Sequence, residues 1–167
     1  MALLVVVYFA VLLLFCLPGY VLTGISLYAI GSRRGIENPW RAWVPGVNLW
    51  LIGCLSDQYQ AIVNGKQKYK RVVLLGLLLA DILLTSTIVL LLDGPHGNNA
   101  VLFLVLFALL WGAAAVAAVV GYMALHDVYR SCDPKRRVLY LVLSIVLPVT
   151  APVWLFLCRN KDLGFPL

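Results

Sequence analysis

Asp81 stands near the middle of VVLLGLLLADILLTSTIVLLL, residues 72–92, and is the only charged side chain in that run. A carboxylate so placed can do one of three things. In protonated form, which hydrocarbon favours, it can hydrogen-bond Thr85 one turn on, or a neighbour such as Ser144 or Tyr20. It can face a wet cavity and bind a proton or cation, the default functional expectation for an intramembrane acid. It can also meet a basic or polar group on a partner's helix. A central aspartate costs about 2.5–3.5 kcal/mol on the insertion scale, while each central Leu, Ile or Val returns about 0.3–0.6. The fifteen such residues in the run outweigh the charge, so the segment is expected to insert with Asp81 and Thr85 as its polar or ion-binding candidates.

Other chemistry is sparse. The chain has no G-x-S-x-G elbow, no H-E-x-x-H zinc pair, no G-x-x-x-x-G-K-[ST] phosphate loop and no C-x-x-C. His96 and His126 fall in separate loops and complete no metal-ligand set. Cys16, Cys54, Cys132 and Cys158 lie in different segments and read as small apolar packing residues. No cofactor, metal or catalytic residue is therefore assigned, and the chain is expected not to be an enzyme.

The elements that must position Asp81 follow from composition. Apolar AVILMFWYC residues make up 63% of the 167 residues and charged ones 12%, against about 45–50% and about 25% in soluble domains. An integral membrane protein of the cell membrane is expected, and its partner is the lipid bilayer. The net charge of +6 sits in short clusters between apolar runs, which suits membrane orientation and not nucleic acid. Four runs are long enough to cross, at about 20 residues each: 2–30, 72–92, 100–125 and 138–158. The expected fold is all-α, a single polytopic membrane domain over 1–167 with four transmembrane helices and a cytoplasmic-side interfacial segment at 38–60. Basic residues from Arg33 to Arg71, and their absence from DGPHGNN at 93–99, put the first connection in the cytoplasm and the amino terminus outside.

Several features refine this plan. Trp40, Trp43 and Trp50 in NPWRAWVPGVNLWLIGCLSDQYQ suit the headgroup layer, and Pro39, Pro45 and Gly46 break the helix there. A broken helix lying on the cytoplasmic leaflet is preferred to a shallow dip. In 138–158, Pro148 and Pro152 permit either a kinked span, which is preferred, or a re-entrant hairpin that would make all thirteen basic residues cytoplasmic. Pro18, Gly19 and Pro148 fall near the same depth as Asp81 at 1.5 Å per residue, the pattern of interrupted helices beside a midplane acid. Ala113, Ala117 and Gly121 form a small-residue strip that monomer packing explains, with a homodimer seam as the sharper reading. The SDQYQ and HDVYRSCDPKRR stretches read as solvated surface or as a docking face centred on Asp57, Asp127 and Arg130. Lys66, Lys68, Lys70 and Arg71 are candidates for anionic lipid headgroups. No internal repeat is visible.

NPWRAWVPGVNLWLIGCLSDQYQ and the tail CRNKDLGFPL resemble segments of small bacterial integral membrane proteins in which a Trp- and Pro-rich interfacial stretch follows the first span. The resemblance covers about a fifth of the chain. It implies a bacterial inner-membrane location, and no activity or site residue comes with it. The resulting functional expectation is a non-enzymatic accessory or interaction subunit acting by helix packing, with a homo-oligomer or another membrane protein as partner. The alternative is a small oligomeric transporter or ion-conducting protein using Asp81.

Overall fold

Runs of Leu, Val and Ala longer than twenty residues, free of Gly and Pro clusters, leave the backbone one way to satisfy itself locally, and it is helical. The computed structural model describes residues 2–65, 69–93 and 100–161, with side chains described except at 2–13, 15, 92, 93 and 100. Six α-helices are present among these residues: α1 (Ala2–Arg33), α2 (Val47–Asn64), α3 (Lys70–Asp93), α4 (Ala100–Cys132), α5 (Arg137–Val146) and α6 (Ala151–Cys158). Short 3-10 turns at Pro39–Trp43 and Pro148–Thr150 precede α2 and α6, and the described residues include no strand. Pro18 lies inside α1 without ending it.

The chain doubles back twice towards the same end of the bundle. After α1, left-handed backbone at Gly35 and Asn38 reverses the direction. The 3-10 turn then climbs beside α1 until the Trp43 ring lies on Gly24, where an added Cβ would meet it at 3.0 Å. Gly46, at φ 81°, makes the second reversal, and α2 descends between α3 and α4. The second doubling follows α4. Tyr140 of α5 stacks on Trp154 of α6 with ring centroids 4.8 Å apart, although fourteen residues of straight helix would separate them by about 21 Å. Lys161 then reaches Asp133 at 3.5 Å, and Arg33 donates to the Arg159 carbonyl. Residues 138–158 thus leave and return at one end.

This reversal differs from the kinked span preferred for 138–158, and of the four expected crossings two described helices, α3 and α4, are long and apolar enough to span. Pro148 can donate no amide hydrogen and breaks the helix after Val146. The Ser144 carbonyl, which Pro148 cannot supply with a donor, accepts from the Tyr122 hydroxyl at 3.3 Å, and the Thr150 hydroxyl adds bonds to the Leu143 and Leu147 carbonyls at 3.1 and 2.7 Å. Residues 38–60 are corrected in the same way. Leu51 to Ser56, Tyr59 and Gln60 are buried, so α2 is a core helix and not one lying along a surface.

The core is gathered at the basic end. Leu27 and Ile30 of α1, Leu51 and Leu55 of α2, Leu74 of α3, Val128 and Tyr129 of α4, Tyr140 of α5 and Leu155 of α6 pack together there. Beyond it α3 and α4 continue as a pair whose apolar side chains are nearly all exposed, and these two described helices are long and apolar enough to cross a membrane. A topological repeat also emerges: a long helix and a doubled-back segment, twice. The returning arms carry Trp50 and Cys54, and Trp154 and Cys158, each pair four residues apart, and α2 packs on α4 whereas α6 packs on α1.

The approach of α2 to α3 yields a direct test. A Cβ on Gly53 would lie 2.6 Å from the Arg71 Cα, a backbone atom that cannot step aside. Gly53→Ala is expected to cost about 1–3 kcal/mol as an overpacked contact and to lower the melting temperature followed by circular dichroism in detergent. Gly76→Ala, with nothing within 4 Å of the added methyl, should melt at or above wild type because alanine is the better helix former.

Candidate functional site

The last turns of α4 bring a carboxylate into the interior of the basic end. Asp127 is 4% exposed. Its Oδ2 accepts from the Ser56 hydroxyl at 2.6 Å and the Lys70 ammonium at 2.6 Å, and its Oδ1 accepts from the Gln60 amide at 2.9 Å. Ser56 and Gln60 are one helical turn apart on α2 and so present both donors on one face. Lys70 opens α3, so the one carboxylate joins three helices. Asn64 extends the chain of bonds by donating to Gln60 Oε1 at 2.6 Å. His126 Nδ1 stands 3.9 Å from Asp127 Oδ1, too far for a hydrogen bond but near enough for a protonated ring to feel the charge.

Removing two charges from water is expensive, and the pair persists because both carboxylate oxygens are engaged, Oδ2 by two donors and Oδ1 by one. That saturation suits a structural node better than a general base. The node opens on one side to a groove of about 670 Å³, with Gln60, Lys70, Tyr122, His126 and Asp127 at its polar end and Met123, Leu141 and Ile145 along its apolar wall. Nearby, buried Arg34 donates to Ser131, and Tyr129 Oη lies 3.0 Å from Ser144 Oγ and donates to the Ala151 carbonyl at 3.5 Å. At the end of α4, partial desolvation of Asp133 is outweighed by hydrogen bonds from the Arg136 amide and Lys161, which hold its carboxyl below the usual range.

A second concavity, about 460 Å³, lies on the other side of α2. Glu37, Arg41, Trp50, Asp57, Gln58, Tyr69 and Arg71 contribute to its wall. Asp57 accepts from the backbone amides of Lys70 and Arg71 at 3.0 and 3.2 Å, capping α3 from a different helix.

The sequence-derived candidates are distributed differently from expectation. Asp81 is half-buried on α3, and Thr85 bonds its backbone carbonyl at 2.7 Å, not its carboxylate. Ser144 and Tyr20 are engaged elsewhere, with Tyr140, Tyr129 and Trp43. Asp81 Oδ1 is shielded from solvent and has no hydrogen-bond partner among the described residues. Gly19 does meet Pro152, whose Cγ would lie 3.5 Å from an added Cβ. Pro18 and Pro148 are exposed. This contact lies between α1 and α6, whereas α3 packs on α2 and α4; α1 runs unbroken through Pro18 and Gly19 and Pro152 sits inside α6, so of the expected breaks only that at Pro148 forms, on a different helix pair from the acid. Trp40 is exposed, Trp43 packs over Gly24, and Trp50 is half-buried under the Arg41 guanidinium at 5.2 Å. Ala113, Ala117 and Gly121 are half-buried, and a Cβ at Gly121 would touch nothing within 4 Å. Lys66, Lys68, His96 and residues 162–167 lie outside the described residues. Lys70 turns inward to Asp127, and SDQYQ is largely buried, correcting the solvated reading of that stretch.

The buried node was missed because Asp127 and Lys70 each sit at the edge of an apolar run, where charged residues usually meet water. The available signal was Ser56 and Gln60 four apart beside an apolar stretch. Compared with known protein families, functionally curated proteins and solved structures, the chain matches none of them.

The node makes a quantitative claim. Asp127→Ala should leave the Lys70 ammonium buried and unpaired and cost about 3–5 kcal/mol. A Lys70→Met, Asp127→Leu double variant should recover most of that loss. Thermal melts of the two single variants and the double variant in detergent measure the coupling, and additive losses would contradict it.

Proposed function

We propose that this chain is a small integral membrane protein that acts without catalysis, as an interaction subunit engaging a partner through its exposed helix faces. In this reading α1, α3 and α4 cross the bilayer, the two doubled-back segments are re-entrant, and the basic end faces the cytoplasm. The amino terminus is then outside and all thirteen basic residues are inside.

One observation carries the interaction reading. Phe103, Phe107 and Trp111 form a ridge along α4, with successive ring centroids 5.9 and 6.1 Å apart. Trp111 is 64% exposed, about 16 Å along the helix from Ala100 at 1.5 Å per residue. Indoles prefer the membrane interface, where the N–H finds a partner. Among the described residues no acceptor reaches this one. A neighbouring helix that covers the ridge and offers an acceptor accounts for both its exposure and its depth.

The second reading, proton or cation movement through Asp81, rests on the shielded Oδ1 without a partner. Two arms separate them. Purification from native membranes should yield a stoichiometric second component or a second copy of the chain, and Trp111→Ala with Phe107→Ala should reduce its recovery about tenfold. A stable lone monomer would contradict the interaction reading. In reconstituted vesicles Asp81→Asn should leave assembly intact. Cation- or proton-driven flux that is present in wild type and lost in this variant would favour transport instead.

A further inference from the structure

The concavity beside α2 holds two guanidiniums, Arg41 and Arg71, and neither forms an ion pair among the described residues. The Asp57 carboxylate in the same wall turns both oxygens to the α3 backbone amides and grips neither guanidinium. Arg41 is held in place by stacking over Trp50. Arg71 is anchored at the start of α3, beside the buried Cys54 thiol. The same wall carries two acceptors lacking donors. Gln58 donates its amide to the Arg34 carbonyl at 3.1 Å, which leaves its buried Oε1 without a partner, and Glu37 is exposed with no ion pair among the described residues.

We infer that this pocket is a binding site for a hydroxylated anionic phospholipid, with the phosphodiester on Arg41 and Arg71 and the headgroup hydroxyls on Gln58 Oε1 and Glu37. A guanidinium pair matches phosphate oxygens in planar, two-point geometry. Glu37 and Asp57 balance the two guanidiniums in formal charge, so the phosphodiester is held by directed two-point hydrogen bonds that neither carboxylate supplies. The two unpaired acceptors call for a ligand that brings donors, which a polyol headgroup has and a choline headgroup lacks. Trp40, exposed on the adjoining 3-10 turn, suits a mouth at headgroup depth. The site differs from the lysine cluster expected from sequence, since Lys70 is turned away into the node.

The inference rests on the membrane orientation proposed above, and the test separates the two. Alkaline carbonate should leave the protein in native membranes; its release would overturn the membrane reading itself. Detergent-solubilised protein is then titrated with phosphatidylglycerol, phosphatidylcholine or the deacylated glycerophosphoglycerol headgroup, and bound species are counted by native mass spectrometry. Phosphatidylglycerol should bind in preference to phosphatidylcholine. Arg41→Gln with Arg71→Gln should weaken it about thirtyfold, the combined effect of two basic residues at the surface. Arg71→Gln alone, which keeps the Arg41–Trp50 stack, should give an intermediate loss with unchanged helical circular dichroism. Equal binding of the two lipids, or undiminished phosphatidylglycerol binding by the double variant, would overturn the site. Equally tight binding of the deacylated headgroup would overturn the lipid assignment in favour of a soluble phosphodiester.

Discussion

Everything at the basic end depends on how the Asp127 carboxylate is satisfied. It stands where α2, α3 and α4 converge, and each of the three helices contributes to the bonding: α4 the acid, α2 the Ser56 and Gln60 donors, α3 the Lys70 ammonium. A buried ion pair adds little net stability over apolar packing, but its geometry is demanding. Sliding α2 by one turn so that Ile52 took the place of Ser56 would leave the acid short of a donor. The node thus sets the register of α2 against its neighbours, and with it the seating of Gly53 against the α3 backbone.

The doubled-back segments face a related constraint. A broken helix leaves backbone groups without their helical partners, and where water is excluded they must find others in the protein. Tyr20 donates to the Trp43 carbonyl, Gln58 to that of Arg34, and Tyr122 to that of Ser144, which Pro148 leaves without an amide donor. Hydroxyl and amide side chains are therefore placed where the helices stop. The polar residues concentrate inside the basic end while leucine and valine cover the outside of α3 and α4, an inversion of the usual soluble arrangement.

Helix content and the bounds of α1 and α3 were legible from hydropathy and length, whereas α4 runs past the expected end at 125 to Cys132 and carries Asp127 in those added turns. The breaks at Pro39, Gly46 and Pro148 were also legible because those residues act locally, whereas Pro18 and Pro152 sit inside helices and make none. Which way the chain turned after each break was not legible. Pro148 is compatible with a kink or a reversal, and the choice rests on contacts made far along the chain, such as Tyr140 with Trp154 and Lys161 with Asp133. The same holds for the site. Asp81 was conspicuous because its neighbours in sequence are apolar, whereas Asp127 was inconspicuous because its partners lie 57 to 71 residues away. The repeat was hidden because its two copies share little beyond a Trp and a Cys on each returning arm.

Taken together, three long helices carry exposed apolar faces away from a cross-braced basic end made by two reversals. That arrangement leaves the aromatic ridge of α4 and the shielded acid of α3 beyond the core, and the arginine-lined pocket beside α2 at its rim. The reversal of residues 138–158 is the claim on which this architecture turns, and a distance across it tests it most directly. Spin labels at Lys135→Cys and Asn160→Cys, with exposed Cys16 replaced by Ser, can be measured by pulsed electron paramagnetic resonance in lipid nanodiscs. With Lys161 held 3.5 Å from Asp133, the expected separation is short, about 20 Å or less after allowing for the labels at 1.5 Å per helical residue. A separation of about 30 Å or more, the thickness of the hydrocarbon core, would mean that the segment crosses and would contradict the fold described.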